Sequence, residues 1–195
     1  MIATRSESIA SSILSAAEAL FLAKNYGEVS MDDIAQVVGV TKGALYYHFA
    51  SKEALYVAMM NTALQQKQAL FEEVVKGQGT CRERLRRMAL VFFQLPREKR
   101  DLFKLVRRDI NIFQDPTRTQ LIRAYQAALP EQLEAIIADG IRDGEIIPAD
   151  PRLLSWLKVA MVEVILTRYA ESVFRDPDET ADFIINMFFN GVGAR

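Results

Sequence analysis

Residues 30–59 read SMDDIAQVVGVTKGALYYHFASKEALYVAM, and the rest of the chain is organised around them. Ser30 and Asp33 stand three apart, ahead of the apolar series Ile34, Ala35 and Val38. A hydroxyl and a carboxylate at that spacing can each satisfy an orphan backbone N–H, so a short helix is expected to start here. Gly39 is the residue type that enters the left-handed region without a Cβ clash, which suits the end of that helix. Val40 follows as an apolar plug, and Thr41 is placed to cap a second short helix reaching about Phe49. Two short helices joined across a tight glycine-containing turn make a helix-turn-helix. The second one carries Thr41, Lys42, Gly43, Tyr46, Tyr47 and His48. Leu45 and Phe49, four apart, read as its inward side. Consecutive residues lie about 100° apart on a helix, so Tyr46, Tyr47 and His48 cannot all share that side. Exposed phenols, an imidazole and a cation suit phosphate oxygens and base edges. This helix is therefore expected to read DNA.

At these positions the chain resembles the TetR family of transcriptional regulators. The stretch MDDIAQVVGVTKGALYYHFASKEALY combines a D-x-A-x-x-x-G-V turn with T-K-G-x-L-Y-Y-H-F and S-K-E-x-L. The likeness runs from about Ile9 to Met59, and beyond it extends only to the layout. The resemblance implies an all-α homodimer with an N-terminal DNA-binding module and a C-terminal ligand-binding and dimerisation domain. It implies that Tyr47, His48 and Lys52 hold phosphates, and that Thr41, Lys42, Gly43 and Tyr46 face bases or nearby backbone. Ser30, at the cap of the first helix, is counted in the same DNA-facing set. The expected partners are a palindromic double-stranded operator, a second copy of the chain and a small hydrophobic or anionic effector that releases the repressor.

Composition sets the outer limits. With 195 residues, half of them hydrophobic and a quarter charged, the chain holds one fair-sized core or a small domain joined to a larger one. The formal net charge is −1, so no global field draws it to nucleic acid. The first sixty residues are not basic either: Arg5, Lys24, Lys42 and Lys52 stand against Glu7, Glu18, Glu28, Asp32, Asp33 and Glu53. DNA binding must then come from a focused surface rather than a diffuse basic patch. A single cysteine, Cys81, excludes an intrachain disulfide and fits a reducing compartment. No run approaches the roughly 18 apolar residues of a membrane span, and no secretory signal is apparent. A cytoplasmic protein that does not touch the membrane is expected.

Around the helix-turn-helix, periodicity predicts helices throughout, about nine in all. The first runs from about Ser8 to Lys24, closed by Asn25-Tyr26-Gly27, and a long one runs from the Ser51 cap to about Val75. Thr80 opens a helix to Leu95, and another covers Arg97 to Phe113. Asp115-Pro116 starts a helix to about Arg142, with a kink expected at Pro130. Asp150-Pro151 starts one to about Phe174, and Asp176-Pro177 starts the last, to Asn190. The domain break is placed between residues 52 and 53, giving 1–52 for DNA binding and 53–195 for ligand and dimer contacts.

Four further readings concern sites. His48 is the lone histidine and has no base–nucleophile partner or second metal ligand nearby in sequence, so no catalytic group, metal or cofactor is expected. Between residues 81 and 108, ten basic residues face three acidic ones; a solvated helix face accounts for them, with an anionic ligand or auxiliary DNA backbone contact as the competing readings. The effector cavity is expected among Met88, Phe92, Phe103, Tyr125 and Trp156, with Arg107, Asn111 and Glu163 as polar groups and Arg107 as the charge partner. The final helix is apolar almost all round, so Ile184, Met187 and Phe188 are expected in a two-fold interface. Rival functions are a ligand-independent DNA-binding protein and a helical carrier or enzyme.

Overall fold

A computed structural model describes residues 5–192. Among them are eleven α-helices and two short 3-10 turns. In chain order the helices are α1 (Arg5–Ala23), α2 (Met31–Val38), α3 (Lys42–His48), α4 (Lys52–Val75), α5 (Cys81–Phe93), α6 (Arg97–Asp109), α7 (Thr117–Ala128), α8 (Pro130–Arg142), α9 (Pro151–Ile165), α10 (Arg168–Val173) and α11 (Pro177–Val192). Two expected helices are each divided. Pro130 has no N–H to give to the preceding turn, and Leu129 before it leaves helical geometry (φ −138°, ψ −65°), so α7 and α8 separate where a kink was expected. The stretch from 150 to 174 breaks at Thr167, whose hydroxyl accepts the Ala170 N–H and starts α10 afresh.

The chain forms two compact units. The first takes residues up to Leu64 together with Leu102–Ile122; the second takes Gln65–Asp101 with the residues from Arg123 on. The expected break at 52/53 thus differs from the packing, and the reason is the core of the first unit. Phe21 of α1, Tyr26, Tyr56 of α4 and Phe113 form a ring cluster with neighbouring centroids 5.0–5.7 Å apart. Edge-to-face pairs at these separations add roughly 0.5–1.5 kcal/mol each beyond the area they bury. Residues 102–122 bring Phe113 and Asp109 against Tyr56, and Phe21 and Tyr56 are fully buried.

A polar cluster sits beside those rings. The Tyr56 hydroxyl donates to Asp109 Oδ2 at 3.1 Å, and Arg108 donates to both carboxylate oxygens at 2.7 and 2.9 Å. Arg108 also donates to the carbonyls of Phe21 (2.9 Å) and Lys24 (3.2 Å) at the C-terminal end of α1. A cation there satisfies orphan carbonyls and the negative end of the helix dipole together. Asp109 is 2% exposed yet fully engaged. Burial, and then Asp109, lift the Tyr56 phenol far above its ordinary range.

The second unit packs α8 on α9 and α5 on α11, with α5 also lying along α8. Gly140 of α8 is what lets α5 come close: a Cβ there would stand 2.6 Å from both the Cβ and Sγ of Cys81. Arg84 of α5, nearly buried, donates to Asp139 of α8 at 2.7 Å and to the Val75 carbonyl at 2.5 Å.

Candidate DNA-binding interface and effector cavity

The helix-turn-helix is built by local chemistry. The Ser30 hydroxyl accepts the Asp33 N–H at 3.1 Å while the Asp33 carboxylate accepts the Ser30 N–H at 2.8 Å, closing a capping box that starts α2. These bonds hold the Asp33 carboxyl below its usual range. Gly39 ends α2 at φ 76°, and the Val40 N–H reaches back to the Ala35 carbonyl at 3.0 Å. Thr41 then accepts the Ala44 N–H at 3.2 Å and starts α3. Leu45 is fully buried and Phe49 half-buried, which anchors α3 on its inward side. Thr41, Lys42, Gly43, Tyr46 and Tyr47 are all exposed, Tyr47 at 84%, and His48 is half-covered with its ring edge-on to Tyr47. Of the eight residues expected to meet DNA, Lys42, Gly43, Tyr46 and Tyr47 are exposed on α3 and His48 flanks them half-covered, while the hydroxyls of Ser30 and Thr41 serve as caps.

The two lysines differ. Lys42 Nζ lies 2.8 Å from Asp32 of α2 in an exposed ion pair, and Asp32 raises its pKa. Lys52, at the start of α4, is already engaged. Its ammonium donates to the carbonyls of Tyr26 (2.9 Å) and Val29 (3.0 Å) and sits 4.3 Å from the Tyr26 ring centroid. Two of its three N–H groups thus fix the turn after α1, and one remains to meet a phosphate.

The residues expected around an effector do not form one group. Phe103, Arg107 and Asn111 belong to the first compact unit. Leu102, Phe103, Leu105 and Val106 take the inward side of α6, which turns Arg107 outward; Asn111 is exposed too and accepts from Arg118. Tyr125 and Trp156 stack with centroids 6.1 Å apart, and Trp156 borders an open groove of about 460 Å³ shared with Gln126, Glu131, Glu134 and Arg152. Met88 and Phe92 alone of the expected set line a narrow apolar slot of about 30 Å³, together with Phe71, Leu85, Ala89, Leu129, Leu133, Val159, Val162 and Lys158. Lys158 was not anticipated. It is 1% exposed, its ammonium nitrogen has no hydrogen-bond partner, and burial alone pulls its pKa down to about 7. A helical wheel of α9 carries the clue, since Leu154, Lys158 and Val162 stand four apart on the apolar face.

Half of the basic segment serves as ties within the second unit. Arg86 bridges Asp182 (2.6 Å) and Asp178 (2.9 Å) of α11, Arg82 bonds Asn186, Arg87 donates to the Gln78 carbonyl, and Arg97 pairs with Glu171 at 3.1 Å. With Arg84 on Asp139, all of these guanidiniums but that of Arg87, which holds the loop before α5, join one helix of the second unit to another.

Comparison with known proteins decides what this arrangement is. A profile of bacterial regulatory proteins of the tetR family matches residues 13–59, and a profile of tetracyclin repressor-like C-terminal domains matches residues 78–192. The chain belongs to the TetR family. The uncharacterised HTH-type transcriptional regulator YdgC of Bacillus subtilis is 24% identical over 184 residues, covering 92% of this chain and 90% of that protein. A TetR-family regulator from Rhodococcus RHA1 shares the fold with a TM-score of 0.83 at 18% identity, covering 99% of this chain and 100% of its own. FadR of Bacillus subtilis, solved in complex with stearoyl-CoA, gives a TM-score of 0.79 at 20% identity, covering 93% of this chain and 98% of its own.

As a TetR-family regulator, the chain is a DNA-binding transcription factor and not an enzyme. Among the described residues no helix is long and apolar enough to cross a membrane. Cys81 is buried against Gly140, and desolvation, followed by Glu145, pushes its thiol up to about 12. Burial against Gly140 gives this thiol a packing role between α5 and α8.

Proposed function

We propose that this TetR-family chain is a dimeric repressor that reads a palindromic operator with α3 and is released when a small molecule binds in its second unit. The observation that carries the reading is the outward face of α3: Tyr46, Tyr47 and Lys42 stand exposed while Leu45 anchors the helix from behind. A rigid helix with that face fits the major groove, and its residues sort into two roles. Tyr47, His48 and the spare N–H of Lys52 meet phosphates; Thr41, Lys42, Gly43 and Tyr46 meet base edges or the backbone beside them. The effector half of the reading draws support from FadR, a relative in fold that carries a ligand. A hundredfold loss of operator affinity requires the effector to favour the non-binding conformation by ~2.7 kcal/mol.

The test is operator binding across a salt series, on DNA selected by the purified protein. Tyr47→Ala is expected to weaken binding to all sequences alike, and Lys42→Ala to change which sequence is preferred. Asp32→Asn, which frees Lys42 from its ion pair, is expected to tighten binding and steepen the salt slope by about 0.9. Normal binding by all three variants would remove α3 from the interface.

The dimer seam follows from the same exposure argument. Ile184 and Phe188 are buried within the protomer, where α11 packs on α5, and of the expected three only Met187 is open. The face left uncovered joins Leu153, Leu157 and Val164 of α9 to Phe183 and Met187 of α11, each more than 40% exposed. A two-fold axis along this face would bury it on both protomers. Leu157→Asp is expected to give a folded monomer in sedimentation and Ile184→Asp an unfolded chain. A folded dimer from Leu157→Asp would move the seam elsewhere.

A further inference from the structure

The strongest unexplained feature of the molecule is the Lys158 side chain. Each element around it contributes hydrocarbon: Phe71 from α4, Leu85 and Met88 from α5, Leu133 from α8, Val162 from its own helix. Lys158 is the one titratable residue lining the slot, and no neighbouring charge shifts it, desolvation being the whole cause of its altered pKa. An ammonium or amine in such a place forfeits several hydrogen bonds to water and recovers none. The other ionisable groups buried with it in the second unit are tied down, as Arg84 is by Asp139. A lysine that contributes nothing to packing that a methionine would not contribute better calls for an occupant to pair with.

We infer that the slot between α5, α8 and α9 is the effector site, and that the effector is an apolar molecule bearing one free carboxylate, which pairs with Lys158 Nζ. The inference rests on the regulatory reading above and names its ligand class. One charge and no other donor in the lining match a monoanion. A phosphate or sulfate ester with more oxygen acceptors would leave them unsatisfied among leucines and phenylalanines. The hydrocarbon lining in turn selects a hydrocarbon body. A slot of about 30 Å³ admits little more than a water, so a larger guest must spread the helices. Lys158 and Val162 face the slot from α9, while Leu153, Leu157 and Val164 on its opposite side form the proposed seam. A guest that pushes α9 therefore pushes on the dimer contact.

Proton traffic gives the site a signature. At pH 8 most of the unoccupied protein carries Lys158 as the neutral amine, because burial holds its pKa at about 7. A carboxylate arriving from solvent stabilises the ammonium, so binding takes up close to one proton per site; the proton comes from buffer and no covalent bond changes.

The probes are decanoate, decan-1-ol and methyl decanoate, below their aggregation limits, titrated calorimetrically into the full-length protein at pH 8 in buffers of different ionisation enthalpy. Wild type is expected to bind decanoate with uptake of close to one proton, and at least tenfold more tightly than either neutral probe. Lys158→Met, which keeps the volume, is expected to lose that preference and the proton uptake while still binding decan-1-ol. Equal decanoate affinity in wild type and Lys158→Met, absence of saturable decanoate binding, or no proton uptake would each overturn the proposal. Operator release is scored separately by DNA anisotropy. Lys158-dependent binding without release supports the anion site and removes the effector role; failure of decanoate to bind leaves DNA recognition by α3 untouched.

Discussion

Each compact unit hides a charged group, and the two groups are treated in opposite ways. Asp109, in the unit that carries the helix-turn-helix, is met by Tyr56 and by both arms of Arg108, which goes on to hold the carbonyl end of α1. Lys158, in the other unit, is met by nothing. A fully satisfied buried network fixes one arrangement of the elements it joins, whereas an unsatisfied group weakens the arrangement it sits in and rewards any change that satisfies it. The contrast places rigidity where DNA geometry has to be presented and leaves a reserve of unfavourable energy where a signal has to be received.

The sharpest way to break that contrast is to exchange the two conditions. Asp109→Ala strands a guanidinium and a buried phenol, and unfolding in urea should show a loss of about 3–5 kcal/mol. Lys158→Met should move stability the other way, by roughly 4 kcal/mol or more in favour of the fold at pH 7. A destabilised Lys158→Met would mean that the amine has a partner after all.

The pH dependence of stability tests the same point with less violence. Lys158 titrates at about 7 when folded and near 10.4 when unfolded, so between those values the unfolded chain binds the extra proton. Wild-type stability should therefore climb relative to Lys158→Met by about 1.4 kcal/mol per pH unit from pH 7 towards 10, and the penalty should be complete below about pH 7. Parallel curves for the two proteins would refute a depressed lysine.

A smaller effect probes the frame around the slot. Gly140→Ala gains helix propensity, yet its methyl meets the Cys81 side chain at 2.6 Å, so α5 and α8 must part. Thermal unfolding should register a net loss of about 1–3 kcal/mol, and Cys81→Ala in the same background should recover part of it.

What was legible in the sequence was whatever local chemistry decides. Ser30 with Asp33, Gly39, Thr41, Ser51 and Thr80 announce helix ends within three or four residues, and each does so in the structure. The inward and outward sides of α3 followed from spacing alone. The breaks at Pro130 and Thr167 were harder, since each begins a new helix within one or two residues and leaves little irregular sequence to notice. The partition of the core was not legible at all: Asp109 meets Tyr56 across 53 positions of sequence. The effector residues suffered most. Arg107 was chosen for its charge near aromatic neighbours, but the helical phase set by Phe103 and Val106 turns it to solvent. Lys158 interrupts an apolar stripe of α9, as an exposed lysine would, and only the packing of four helical segments shows it enclosed.

The ion pair between Lys42 and Asp32 also bears on how quickly such a protein finds its target. A reading helix whose one cation is already neutralised, on a module with an acidic excess, adheres weakly to random phosphates and so leaves wrong sites soon. At the right site, base edges draw Lys42 away from Asp32, and the attraction held back during the search is released where it lengthens the stay. Haste among wrong sequences and patience at the right one would then come from a single 2.8 Å contact.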